Sequence, residues 1–167
     1  MRAKSFSRLA FAVHVMLALL LGAPSAHAQS ALDNPDWKES EAPAPPAFNP
    51  EKLLPLDMPH YVTLKFGIDP ATLSITPDGI VRYVVVARSD SGAITAFYEG
   101  ILCAKGEVKS YARTQSDGQW RVVANPQWRA LNDNQPSPHA RVFARQGACD
   151  ANTAASSVAD IVRAMKK

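Results

Sequence analysis

The chain is poor in cysteine and histidine, which limits the chemistry available to it. Its 167 residues include two cysteines and four histidines. These residues do not follow a recognisable zinc-ligand spacing. No phosphate-binding loop, dinucleotide fingerprint, His-Glu-x-x-His motif or Gly-x-Ser-x-Gly elbow is present. We therefore predict no metal and no cofactor, and the missing motifs favour a non-catalytic protein, although many active sites have no local motif.

Positive charge is also scarce once the N-terminal segment is set aside. The net charge of +3 includes Arg2, Lys4 and Arg8. Without residues 1–28 the chain carries 15 basic and 15 acidic residues. A neutral chain has no electrostatic footprint for nucleic acid and no general attraction to an anionic membrane surface. We therefore expect no nucleic-acid partner.

Long apolar runs are absent except for a single run near the N-terminus. This run predicts a secretory signal peptide over residues 1–28. A basic start is followed by a largely apolar stretch from Leu9 to Leu21 and by the small-residue end Ala26-His27-Ala28. About thirteen apolar residues fall short of the roughly 20 that span a bilayer. We expect cleavage after Ala28 and no transmembrane segment beyond it. A lipid anchor is not expected, because the first cysteine is Cys103.

Residues 29–59 contain seven prolines and predict an extended arm. Proline fixes its own φ and pushes the preceding residue towards extended geometry, so a long helix or a central strand is disfavoured. The arm could be a spacer, a ligand for another protein or a poorly ordered terminus. Trp37 is an exception within it, because a large apolar ring is seldom left in a solvated tail and could dock on the domain.

Residues 60–167 predict a single β-rich domain. Short runs rich in β-branched and aromatic residues alternate with turn signals. The strands are predicted over Tyr61–Phe66, Leu73–Ile75, Ile80–Arg88, Ala93–Cys103, Glu107–Thr114 and Gln119–Ala124. Apolar residues on both faces of the third of these runs suggest a central strand. Short turns between the last four runs predict an antiparallel meander.

The C-terminal segment predicts a helix. Ala155, Val158, Ile161, Val162 and Met165 recur at helical spacing, and Asp150 or Asn152 could cap the start. Residues 125–146 are interpreted as irregular, although residues 141–145 could form one more short strand. The fold class is therefore α+β: mainly an antiparallel β-meander sheet with a C-terminal helix, preceded by a Pro-rich extended arm.

The two cysteines predict a disulfide between Cys103 and Cys149. A single bridge is the economical expectation in an exported chain with two cysteines. Redox-active pairs usually have two residues between them, whereas these cysteines lie 46 positions apart. The bridge would join the sheet to the C-terminal segment.

Glu99 and His139 are the candidate catalytic residues. Glu99 shares a strand face with Phe97 and Ile101, and a carboxylate in apolar surroundings can act as an acid or base. The competing interpretation is a rim glutamate paired with an arginine, because charged residues are seldom buried. His139 follows a proline in a predicted loop, where a histidine is more often solvated than catalytic.

Two Gln-Trp-Arg triplets give candidate binding residues. They place Trp120 and Arg121, and then Trp128 and Arg129, eight positions apart. Aromatic rings beside arginines can stack on sugars or anchor a protein interface. Alternatively, Trp120 belongs to the core of its strand and Trp128 covers a sheet end.

Several motifs together resemble the cryptic neisserial protein-like family of exported bacterial proteins. The similarity covers about Tyr61 to Leu131 and the Trp37-Lys38-Glu39 region. It is carried by Asp78-Gly79-Ile80-Val81-Arg82-Tyr83, Ala87-Arg88-Ser89, Ser91-Gly92-Ala93, Tyr98-Glu99-Gly100-Ile101, Cys103, Tyr111-Ala112, Trp120 and Asn125-Pro126-Gln127-Trp128-Arg129. The resemblance implies an envelope location in a two-membrane bacterium, and it supplies no activity, cofactor or catalytic residue.

Two functions follow from these observations as hypotheses. The first is a non-catalytic periplasmic domain that binds an envelope protein or a cell-wall component. The second is a small periplasmic hydrolase that uses Glu99, which requires a concave pocket containing Glu99 and a second polar group.

Overall fold

Strand β4, Ile80–Arg88, runs through the middle of an antiparallel sheet, and its first eight residues are buried. The computed structural model describes residues 36–134 and 137–167, so the predicted signal peptide lies outside the described residues. Both faces of β4 pack against apolar groups, as its sequence pattern predicted. Its hydrogen-bonded neighbours are β2, Lys65–Ile68, and β5, Ile94–Leu102.

The main sheet has eight strands in the described part of the chain, in the order β1-β2-β4-β5-β6-β7. In addition, β3 pairs with β4, and β8 pairs with β6. The remaining bounds are Leu54–Pro55 (β1), Ser74–Ile75 (β3), Glu107–Thr114 (β6), Trp120–Val122 (β7) and Arg129–Ala130 (β8). A separate hairpin consists of Cys149–Asp150 (β9) and Thr153–Ala154 (β10). Strands β4 to β7 form the predicted antiparallel meander, which confirms the predicted fold class.

Two short helices follow the meander. Helix α1, His139–Phe143, continues into a π-helical turn over Ala144–Ala148, and helix α2 spans Val158–Met165. The strand expected over residues 141–145 is therefore wrong. Ser157 caps the start of helix α2, because its hydroxyl accepts a hydrogen bond from the Asp160 amide at 3.1 Å. The predicted caps at Asp150 and Asn152 are wrong, because these residues lie in the β9–β10 hairpin.

The helices cover one face of the sheet, here called the helical face. Phe143 and Ile161 are fully buried against alternating β4 side chains such as Tyr83 and Val85. The Tyr83 and Phe143 rings meet edge to face, with centroids 4.6 Å apart. The structure contains the Cys103–Cys149 disulfide, which joins the end of β5 to β9 and confirms the predicted bridge.

The described part of the arm covers the opposite face of the sheet up to Leu53, whereas Leu54, Leu56 and Met58 pack into the core of the helical face. Phe48 packs edge to face on Trp120, with ring centroids 5.7 Å apart. Trp37 Nε1 donates a hydrogen bond to the Asp78 carbonyl at 2.9 Å. The guanidinium of Arg82 donates to the Ser40 carbonyl at 2.7 Å. These contacts fix the arm on the sheet and leave the helical face to form the candidate site.

Candidate functional site

Glu99 lies in the middle of β5 and points to the helical face. Its register partner on β4 is Tyr83, and a β-bulge after Tyr98 places Ser110 of β6 opposite it. Directly opposed residues in a sheet share a face, so three polar side chains converge at one point. A bulge re-aims side chains in this way and often occurs next to functional sites.

The Glu99 carboxylate accepts three hydrogen bonds. The Tyr83 hydroxyl donates to Oε2 at 2.8 Å, and the Ser110 hydroxyl donates to Oε1 at 2.8 Å. The third donor is Nε2 of His139, which lies 2.9 Å from Oε2. Glu99 is only 3% exposed, so the rim-glutamate interpretation is wrong and its partner is a histidine rather than an arginine.

His139 reaches Glu99 because helix α1 begins at this residue. Its ring stacks on Phe66 at a centroid distance of 5.1 Å and on Phe97 at 6.0 Å. The residue is 9% exposed, so the expectation of a solvated loop histidine is wrong. Its second ring nitrogen, Nδ1, is buried and has no hydrogen-bond partner among the described residues.

The electrostatics favour an imidazolium–carboxylate pair. Burial raises the pKa of Glu99, but the His139 charge and the hydrogen bonds from His139, Ser110 and Tyr83 together hold it below its ordinary value. Burial lowers the pKa of His139, but the Glu99 charge and hydrogen bond raise it above its ordinary value. Burial and the Glu99 charge also raise the pKa of Tyr83, so its hydroxyl remains a donor.

A cavity of about 440 Å³ opens beside this pair and is here called the trough. It follows the helical face of β5 towards the β4–β5 turn. Its apolar walls are Leu64, Phe66, Ala87, Ala93 and Phe97. Polar groups are supplied by Ser89, Thr95, Glu99, Ser110, Arg129, Ser137 and His139. This volume falls within the range of roughly 300–1,000 Å³ that is usual for small-molecule sites.

The hydrogen-bond order at Glu99 differs from that of a catalytic triad. In a triad the histidine stands between the nucleophile and the carboxylate. Here the carboxylate stands between Ser110 and His139, because both donate to Glu99. A carboxylate has about four lone-pair positions, and three are occupied. The arrangement therefore gives Ser110 a carboxylate as its hydrogen-bond partner and not the histidine base of a triad.

The predicted tryptophan residues contact the arm. Trp128 Nε1 donates to Glu39 Oε2 at 3.0 Å, and the Tyr111 hydroxyl donates to Glu39 Oε1 at 2.9 Å. Lys109 Nζ lies 2.5 Å from Glu39 Oε2 and 5.0 Å from the centroid of the Trp128 ring. Trp120 packs on Phe48 as described above. Their role in binding a partner stays a prediction.

The two predicted binding arginines lie in different places. Arg121 forms an exposed ion pair with Asp117 at 3.0 Å, away from the trough. Arg129 forms a matching pair with Asp133 at 3.0 Å and also lines the trough. The structure therefore brings Arg129 to the candidate site together with Glu99 and His139.

Sequence reasoning missed several residues of this site. Tyr83 and Ser110 were assigned to strands without a polar role, and Ser137 and Phe66 were not singled out. Tyr83 could have been found from the sequence, because two strands joined by a short hairpin pair in a register that places the polar Tyr83 directly opposite Glu99. The bulge that brings in Ser110 has no comparable signal in the sequence.

Residues 36–134 and 137–167 contain no group of three or more His, Cys, Asp or Glu side chains placed to hold a metal ion. No helix in these ranges has the length and apolar character needed to cross a membrane.

The family model for the CNP1-like family matches residues 32–166. The chain belongs to this family, the cryptic neisserial protein 1-like proteins, as its motifs indicated. The match includes the described part of the arm and both residues of the Glu99–His139 pair. Searches for similar curated proteins and for similar solved structures gave no match.

Proposed function

We propose that the mature protein is a non-catalytic periplasmic domain that binds a small envelope component in the trough. The trough itself carries the proposal. It is concave, has apolar walls and contains a few fixed polar groups, which is the usual construction of a small-molecule site. The CNP1-like family and the disulfide suggest an exported protein.

The polar groups at the end of the trough support binding more than catalysis. Glu99 is ionised, buried and held by three donors, so its proton affinity is low. A general acid or base works best with a pKa near the operating pH, whereas the pKa of Glu99 is lowered from an already acidic value. The opposite charges of Glu99 and His139 cancel, so the pair contributes fixed polar groups to the trough wall and no net charge.

The proposal is tested with N-phenyl-1-naphthylamine, an uncharged dye that fluoresces in apolar surroundings. We expect the dye to bind and Thr95→Phe to weaken its binding, because Thr95 lines the trough. The matched control is Ile94→Phe, which adds a ring to the adjacent residue on the opposite face of the same strand. Equal dye binding by the wild type and both variants, or no binding by the wild type, would contradict a ligand site in the trough.

A hydrolase that uses Glu99 is the second candidate, because the trough contains Glu99 with Ser110 and His139 nearby. Such an enzyme would require Glu99 to exchange a proton or attack the substrate. Turnover of a cell-wall fragment or an ester, abolished by Glu99→Gln but retained by Glu107→Gln on the neighbouring strand, would favour this candidate. Binding without turnover in the wild type would favour the binding function.

A partner surface at Trp128 remains a separate proposal. Trp128→Ala removes the indole that donates to Glu39 and would expose this part of the sheet. If the folded variant retained all envelope partners of the wild type, this surface would not be the interface. That result would leave the trough proposal untouched.

A further inference from the structure

The two ends of the trough differ in polarity. Ala93 and Glu99 lie six residues apart along β5, which corresponds to about 20 Å of extended chain. Leu64, Ala87 and Ala93 line the end near the β4–β5 turn together with the uncharged Ser89, and the charged pair Glu99 and His139 lies at the other end. A ligand that fills the trough therefore meets mostly apolar groups along its body and charged groups at one end.

Two buried polar atoms beside the trough lack a partner. They are Nδ1 of His139 and Oγ of Ser137, neither of which has a hydrogen bond to the described residues. Both side chains line the trough. Leaving a buried polar group unpaired costs about 1–3 kcal/mol, so native proteins seldom do so without a reason. A ligand group that entered between these two side chains would give both atoms a hydrogen-bond partner.

The protonation of His139 decides which ligand group suits it. Glu99 is ionised and can only accept hydrogen bonds, so Nε2 of His139 carries the proton that lies between them. In the imidazolium form Nδ1 carries a proton as well. His139 and Ser137 then present two donors, and the matching ligand group is an acceptor.

The surrounding charges favour an anionic acceptor. Glu99 is neutralised by His139, and Asp133 is neutralised by Arg129. The guanidinium of Arg129 has five N–H donors, and the ion pair with Asp133 leaves some of them free. Arg113 is exposed, lies opposite Phe97 in the register on the same face but outside the lining of the trough, and forms no ion pair with a described carboxylate. The unbalanced charge around the trough is therefore positive.

We infer that the trough binds a monocarboxylate with an elongated apolar body. The ligand carboxylate accepts hydrogen bonds from His139 Nδ1, Ser137 Oγ and Arg129, and the apolar body lies along β5. This inference rests on the proposed function, since it names the ligand class of the same site.

The test compares decanoate with 1-decanol, which has the same chain length but no charge. Each is titrated into the ¹⁵N-labelled mature protein and followed by NMR. We expect decanoate to bind at least about tenfold more tightly, because hydrogen bonds to charged groups are the stronger kind. We also expect it to shift the His139 Nδ1 resonance. Ser137→Ala and Arg129→Gln should each reduce the preference for decanoate, whereas Arg121→Gln should not.

Arg121 is a matched control because its ion pair has the same 3.0 Å length and similar exposure to that of Arg129 but lies outside the trough. Equal affinity for the two probes would overturn the carboxylate inference and leave the proposed function standing. A preference unchanged in Ser137→Ala and Arg129→Gln would also overturn it. If neither probe bound but the dye did, the inference alone would fail. If neither the probes nor the dye bound, both would fail.

Discussion

Removal of His139 should destabilise the fold strongly, because it leaves the buried negative charge of Glu99 without a partner. Glu99 is 3% exposed and would lose its positively charged partner. Removing one partner of a buried ion pair costs about 3–5 kcal/mol. His139→Ala also removes the ring that stacks on Phe66 and Phe97. We expect the free energy of unfolding to fall by about 4 kcal/mol at pH 6.

A double-mutant cycle isolates the pair from the lost packing. In Glu99→Gln/His139→Ala the buried charge is absent. The amide oxygen of the glutamine can accept from one of the Tyr83 and Ser110 hydroxyls, and its NH2 group can donate to the other. The double variant should therefore be more stable than additivity predicts, by about 1.5 kcal/mol, a typical coupling for contacting residues. Urea unfolding of the disulfide-bonded proteins measures all four free energies. A loss below about 1 kcal/mol in His139→Ala, or additivity within about 0.5 kcal/mol, would refute the reasoning.

The same pair predicts the pH dependence of stability. The pKa of His139 is raised on folding, so its contribution is complete below the ordinary value of 6.5 and is lost as the pH rises through the folded pKa. The pKa of Glu99 is lowered, so its contribution is complete above the ordinary value of 4.5 and is lost as the pH falls through the folded pKa. We therefore expect the pair to stabilise most between these two ordinary values. Wild-type stability should fall on the alkaline side of this window, and His139→Ala should remove that fall.

Three further predictions concern the arm, the tight packing around Gly100 and the disulfide. Glu39→Ala should lower the free energy of unfolding by about 2 kcal/mol, measured in urea, because three partly buried donors lose their charged acceptor. Gly100→Ala should lower the melting temperature, because its new Cβ would lie 2.7 Å from the Tyr111 hydroxyl and overpacking costs about 1–3 kcal/mol. Cys103→Ser/Cys149→Ser should lose about 4 kcal/mol in urea, because the bridge closes a loop of about 47 residues.

Each of these predictions has a control or a contradicting result. Glu51→Ala is the control for Glu39→Ala, because the Glu51 side chain is 77% exposed in its ion pair and should change stability little. Unchanged melting of Gly100→Ala would show that the sheet can move aside at this point. Equal stability of the oxidised wild type and the double serine variant would show that the bridge does not stabilise the fold.

The regular part of the sheet was predictable from the sequence, because period-two patterns and glycine turns are local signals. Strands β4, β5 and β6 fall within one residue of the predicted bounds. The first predicted strand, Tyr61–Phe66, was wrong over most of its length, since β2 is Lys65–Ile68. Pairing of β2 with Leu54–Pro55 of the arm, a nonlocal contact, extends the sheet beyond it.

The helix α1 and the site depend on contacts that a local pattern does not contain. Val142 and Phe143 suit a strand as well as a helix in so short a run. The start of α1 brings His139 to Glu99 across 40 positions of sequence. Glu99 was predictable as a candidate because of its apolar neighbours. Its partners depend on the strand register, the bulge and the placement of α1, which are properties of the folded chain.

A native mass spectrum of the protein purified from the envelope of its own host tests the central claim most directly. The wild type should retain a non-covalent small-molecule mass, and Thr95→Phe should lose it while Ile94→Phe keeps it. A spectrum containing only the bare oxidised chain, or equal retention by Thr95→Phe, would contradict the account of the trough as a ligand site.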